Sequence, residues 1–69
     1  MKGKRIILKV SKDDPEVGYV YLPQHPGPGN HGVIRSQKRL FDLIEDYKGI
    51  DVYLDFDENG ELLGIEIIG

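Results

Sequence analysis

The chain has 69 residues, 39% apolar and 30% charged, with a net charge of −3, the balance of one small folded domain over residues 1–69 rather than of a disordered chain. It has no cysteine, which excludes disulfides, thiolate nucleophiles and thiolate zinc sites. Residues 1–35 carry six cations against three carboxylates and residues 36–69 three against nine, giving +3 and −6; an acidic chain of this kind argues against nucleic acid as a partner.

Lys4 to Val10 reads as a strand with Ile6, Leu8 and Val10 on one face. The Ser11-Lys12-Asp13-Asp14-Pro15 segment has turn chemistry, since Asp can bond the backbone that follows it and Pro fixes φ. Glu16 to Leu22 is the second strand, and the two are expected to pair as a hairpin. Pro23 to Gly32 holds three Pro and three Gly in ten residues. Neither a helix nor a central strand tolerates that composition, so the segment is predicted to be a long mobile loop with His25 and His31 solvated.

Ser36 to Lys48 is predicted to be a helix. Leu40, Leu43, Ile44 and Tyr47 recur at i, i+3, i+4 and i+7 and make one apolar stripe. Ser36 is the expected N-cap, and Gly49 the residue past the C-terminus in a left-handed conformation. Asp51 to Asp57 and Glu61 to Ile68 read as strands around Asn59-Gly60. A type I′ turn there, with φ > 0 at both residues, pairs Phe56 with Leu63, Leu54 with Ile65 and Val52 with Ile67. The competing three-residue loop Glu58-Asn59-Gly60 mixes faces unless a bulge corrects it. The predicted fold is therefore α+β: two antiparallel β-hairpins forming a four-stranded sheet with one helix packed on one face, in the order β-β-α-β-β.

Two patterns match ligand motifs literally. Asp55-x-Asp57-x-Asn59-Gly60-x5-Glu66 fits a calcium-loop pattern, but such a loop sits between helices, whereas the flanks here alternate as strands. Gly27-x-Gly29-x-x-Gly32 fits the dinucleotide fingerprint, but Pro26 and Pro28 remove amide donors and no βαβ unit surrounds it. Lys38 and Arg39 in the first turn of the predicted helix oppose the helix dipole. With the Ser36 hydroxyl and the free amides, they form a candidate anion site. His25 and His31, with no carboxylate or thiolate nearby in sequence, make a poor metal pair.

The C-terminal residues Asp55, Asp57, Gly60, Gly64, Ile65, Glu66 and Ile67 resemble the ending of the small prokaryotic family called domain of unknown function 2283, an acidic turn, a Gly and then a Gly-Ile-Glu-Ile strand. Asp14-Pro15-Glu16 followed by Tyr19-Val20-Tyr21-Leu22 is similar to that family's early acidic turn and Tyr-Ile strand. The resemblance implies no catalytic residues, because the family has no established activity.

No acid, base and nucleophile come together in this pattern, and apolar residues fall on more than one sheet face. The sequence thus predicts a protein that is not an enzyme and binds no cofactor or metal: a protein–protein interaction or oligomerisation module, self-associating as a homodimer. The alternative is a small anionic-ligand binding domain that uses the Gly-rich loop with Ser36, Lys38 and Arg39. No stretch is long enough for a membrane span or a signal-peptide core, so a cytoplasmic location is expected.

Overall fold

β-Branched and aromatic residues alternating over two short segments form β1 (Ile7–Val10) and β2 (Val17–Tyr21). The structure is a computed structural model that describes residues 5–69, the His31 side chain excepted. The Lys4 end of the predicted first strand lies outside the described residues. The two strands pair antiparallel, Ile7 opposite Tyr21 and Val10 opposite Gly18. Their turn uses the anticipated chemistry: the Asp14 amide donates to Ser11 Oγ at 3.2 Å, and the Glu16 amide to Asp14 Oδ1 at 3.1 Å.

Three further strands follow: β3 (Ser36–Arg39), β4 (Asp51–Phe56) and β5 (Leu62–Ile68). The result is an α+β domain with an open, antiparallel five-stranded sheet in the order β1-β2-β5-β4-β3, and one short helix, α1 (Leu40–Leu43). A short 3₁₀ turn occupies His31–Val33. The predicted four strands become five because the start of the predicted helix is extended. Ser36 to Arg39 pair with β4, Gln37 opposite Asp55 and Arg39 opposite Tyr53. The helix is confined to one turn and buries none of its residues, so it does not cover the sheet. Ser36 is not an N-cap; Arg39 occupies that position, with extended dihedrals. Gly49 has φ +140° but lies well past the helix end, where Tyr47 donates its hydroxyl to the Ile50 carbonyl at 2.7 Å.

The β4–β5 hairpin corrects the turn assignment. Among the described residues no non-glycine has positive φ, so Asn59 cannot sit in a type I′ turn, while Gly60 has φ +81°. The Gly60 amide donates to the Asp57 carbonyl, and the Asp57 amide to the Glu61 carbonyl, both at 3.0 Å. The loop is therefore the three-residue Glu58-Asn59-Gly60, a tight turn closed by a Gly with positive φ. Phe56 faces Leu62 rather than Leu63, and a register shift follows at once between Asp55 and Phe56. That bulge restores Leu54 opposite Ile65 and Val52 opposite Ile67, as the hydrophobic pattern demands.

Because side chains alternate along each strand, the sheet has two unlike faces. One carries Leu8 and Val10 from β1, Val20 from β2, Ile65 and Ile67 from β5, and Val52 and Leu54 from β4. The other carries Tyr19, Tyr21, Gln37, Arg39, Asp51, Tyr53, Asp55 and Glu66. The molecule is a slab of 37 × 31 × 21 Å, with a radius of gyration of 12.6 Å against about 11 Å for a compact chain of this length. Among the described residues, only Tyr21 and Leu63 are buried large apolar side chains.

Candidate functional site

The polar face is organised around Asp55, which is buried at 4% exposure. A carboxylate removed from water needs donors for its lone pairs. Tyr19 on β2 donates its hydroxyl to Asp55 Oδ2 at 2.7 Å, and Gln37 on β3 donates Nε2 to Oδ1 at 2.8 Å. Tyr19 reaches from β2 to β4 across the central strand because Gly64 stands between them. A Cβ on Gly64 would lie 2.1 Å from the Tyr19 hydroxyl oxygen. Burial first, and the Asp55 hydrogen bond second, push the Tyr19 phenol well above its ordinary range, so it stays protonated and donating.

His25 extends this face. Its ring lies edge-on to Tyr21, with centroids 4.8 Å apart, and to Tyr19 at 5.9 Å, while its Nδ1 accepts from the Gly27 amide at 2.9 Å. At 6% exposure it is packed, not solvated. The Gly-rich loop is thus anchored at its start, which corrects the expectation of a wholly mobile segment: the His25 amide also donates to the Leu22 carbonyl at 2.9 Å. The physical reason is the aromatic pair two residues apart on β2, which offers the imidazole a flat apolar bed.

The candidate anion site is not assembled. Ser36 and Lys38 are exposed on β3, and Arg39 ends that strand as the N-cap of a one-turn helix without a side-chain cap bond, so the three do not line the first turn of a helix as expected. Arg39 turns instead to Asp51, with Nε 2.7 Å from Oδ1 and Nη2 3.1 Å from Oδ2, and lays its guanidinium 4.9 Å from the Phe41 ring centroid. This fork holds the Asp51 carboxyl below the usual carboxylate range and raises Arg39. The Gly-rich loop borders a recess of about 260 Å³ lined by Arg5, Tyr21, Pro23, His25 and Gly27. That recess lies at the β1–β2 end of the sheet, whereas β3 is three strand spacings from β2, roughly 14 Å. That recess and the three candidate residues therefore do not converge.

The calcium-loop pattern is occupied by other work. Asp55 accepts from Tyr19 and Gln37, and Asp57 Oδ1 accepts from the Asn59 and Glu61 amides at 2.8 and 2.9 Å. Glu66 sits in mid-strand opposite Tyr53 and Tyr19. No group of three or more His, Asp or Glu side chains is placed to hold a metal among the described residues. No helix among them is long and apolar enough to cross a membrane.

The apolar face has the opposite character. Val20, Val52, Leu54, Ile65 and Ile67 are each half-buried by neighbours in the sheet, and no described element forms a second layer over them. Towards β1 the exposure rises: Leu8 is 60% and Val10 51% exposed, and Ile6 just before the strand 64%. Sequence alternation located these side chains, but the predicted helix hid their exposure. Comparison with known proteins gives no further guide: no family model, no curated protein and no solved structure matches the chain.

Proposed function

We propose that the chain is a non-catalytic interaction module that works by protein–protein contact, with a second copy of itself as its first partner. The observation that carries this reading is the apolar sheet face left without a covering layer. Folded monomers rarely leave a contiguous apolar patch of more than a few hundred Å² in water. Symmetric self-association is the commonest way to cover one. On the polar face, Asp55 is committed to Tyr19 and Gln37, and Arg39 to Asp51.

The same reading takes the chain as a member of the domain of unknown function 2283 family. Its support is that Tyr19, Asp55 and Gly64, three residues that carry the resemblance, meet at one point and form a structural brace. Sedimentation equilibrium over a hundredfold range from micromolar concentration tests the proposal. A mass above 7.8 kDa that rises with concentration supports it; a mass of 7.8 kDa throughout overturns it.

A further inference from the structure

The two edges of the sheet are unlike. β3, Ser-Gln-Lys-Arg, is short and wholly polar, with a cation at two of its four positions. Edges of that kind resist pairing with another chain. β1, Ile-Leu-Lys-Val, is the opposite: three of its four residues are apolar, and no strand of the described residues lies beyond it.

The backbone of β1 is directional. The Ser11 amide donates to the Val17 carbonyl on β2 at 2.8 Å. In an antiparallel pair, inward and outward hydrogen bonding alternate along the strand. Ile7 and Lys9 therefore bond towards β2, and Leu8 and Val10 turn their N–H and C=O groups off the edge. Leu8 and Val10 also carry the exposed side chains on the apolar face. Their equivalents Val20, Ile65 and Leu54 have a strand on both sides and are half-buried. What β1 lacks, in hydrogen bonds and in packing, is one neighbouring strand.

We infer that β1 of a second copy supplies that strand, pairing antiparallel about a two-fold axis at Leu8 to join two five-stranded sheets into one of ten. This rests on the proposed self-association and names one edge contact and its register; it gives Leu8 and Val10 a neighbouring strand and leaves the centre of the apolar face to a separate contact. Axes at Ile7, Leu8 and Lys9 all keep each face of the sheet continuous across the pair. With the axis at Lys9, Lys9 faces the partner's Lys9, and like charges directly opposite are destabilising. With the axis at Ile7, Arg5 faces the partner's Lys9, and like charges are again opposed. With the axis at Leu8, Leu8 faces the partner's Leu8, Ile6 faces the partner's Val10, and Lys9 faces the partner's Ile7. Ile6, Leu8 and Val10 of both copies then fall on the apolar face, and three pairs exchange about six backbone hydrogen bonds. Charge agrees with this choice: Arg5 comes opposite the partner's Ser11, next to the acidic turn that holds the partner's Asp13 and Asp14. A parallel arrangement would instead align the two basic starts.

The chain has no cysteine, so single-cysteine variants report the register directly. Cα atoms of a hydrogen-bonded antiparallel pair lie about 5.5 Å apart, within the range a disulfide spans. Leu8→Cys is expected to form a disulfide dimer under mild oxidant at micromolar concentration at least tenfold faster than Lys9→Cys or Asn59→Cys. A mixture of Ile7→Cys and Lys9→Cys is expected to give mainly the mixed dimer. Circular dichroism of each variant checks that it folds. If wild-type protein sediments as a dimer but Leu8→Cys cross-links no faster than Asn59→Cys, the edge pairing is wrong while self-association stands. If Lys9→Cys is the fastest, the Leu8 axis is overturned in favour of Lys9. A wild-type monomer overturns both readings.

Discussion

Tyr19 and Asp55 are 36 residues apart in sequence and joined by a 2.7 Å hydrogen bond that passes over Gly64. The glycine φ here is not positive, so its role is space rather than backbone freedom. One missing Cβ on the central strand lets a side chain from β2 brace one on β4.

Gly64→Ala is accordingly expected to destabilise the fold by about 1–3 kcal/mol, the range for overpacking a close contact. Urea unfolding measures it. A neutral result would show that the Tyr19 ring can move aside at no cost and is not a brace.

Tyr19→Phe keeps the ring and removes the donor. Asp55 then keeps Gln37 as its donor, and the loss is expected to be about 2 kcal/mol. The phenol also predicts an alkaline effect. Its folded pKa is raised, so the folded state holds the proton where the unfolded state has released it. The stabilisation is full below the unfolded tyrosine pKa of about 10 and declines as pH rises beyond it. The gap in melting midpoint between wild type and Tyr19→Phe should therefore narrow above that pH.

In the β4–β5 turn, Gly60→Ala is expected to cost about 1 kcal/mol, because Ala resists positive φ. Asn59→Ala should change stability by less than about 0.5 kcal/mol. A type I′ turn would make the two costs comparable, so thermal melts of this pair decide the geometry. Asp57→Ala removes the acceptor of two turn amides and should exceed both.

His25→Ala is expected to cost about 2 kcal/mol or more, since it empties a buried site beside Tyr21. Deleting residues 28–30 should cost far less, because loop-closure entropy varies slowly with length. Equal costs would mean that the anchoring role belongs to the whole loop.

Arg39→Ala should lower the melting midpoint only slightly, and the difference should vanish in about 1 M salt, which screens an exposed pair. Asp51 has a lowered folded pKa. Its contribution is present above the unfolded carboxylate value of about 4 and is lost as pH falls through the folded one. A difference that persisted at low pH would point to the Phe41 stacking rather than the ion pair.

Both hairpins were legible in the sequence because alternation of apolar residues fixes a face without any knowledge of the neighbours. Leu54–Ile65 and Val52–Ile67 pair as that pattern demands, even though the turn between them is of a different type. The bulge absorbs the extra residue, and a pattern search sees only its result. The edge strand β3 was not legible. Ser36 to Arg39 contain no apolar residue, so periodicity is silent there, and the stripe of Leu40, Leu43, Ile44 and Tyr47 extended the helix backwards over them. Their extended conformation comes from partners far along the chain, Asp55 for Gln37 and Asp51 for Arg39. The brace was half legible: Tyr19, Asp55 and Gly64 each belong to the motifs that carry the family resemblance, but only the strand order places them side by side.

That order has a consequence for biogenesis. β5 is the last of the five strands to be synthesised and the middle one in space, flanked by β2 and β4. Without residues 62–68, the described strands can form only the β1–β2 and β3–β4 ribbons, which share no hydrogen-bonded boundary. Two-stranded ribbons alone are marginal in water. The sheet therefore closes only when its last-made strand is free to pair with β2 on one side and β4 on the other.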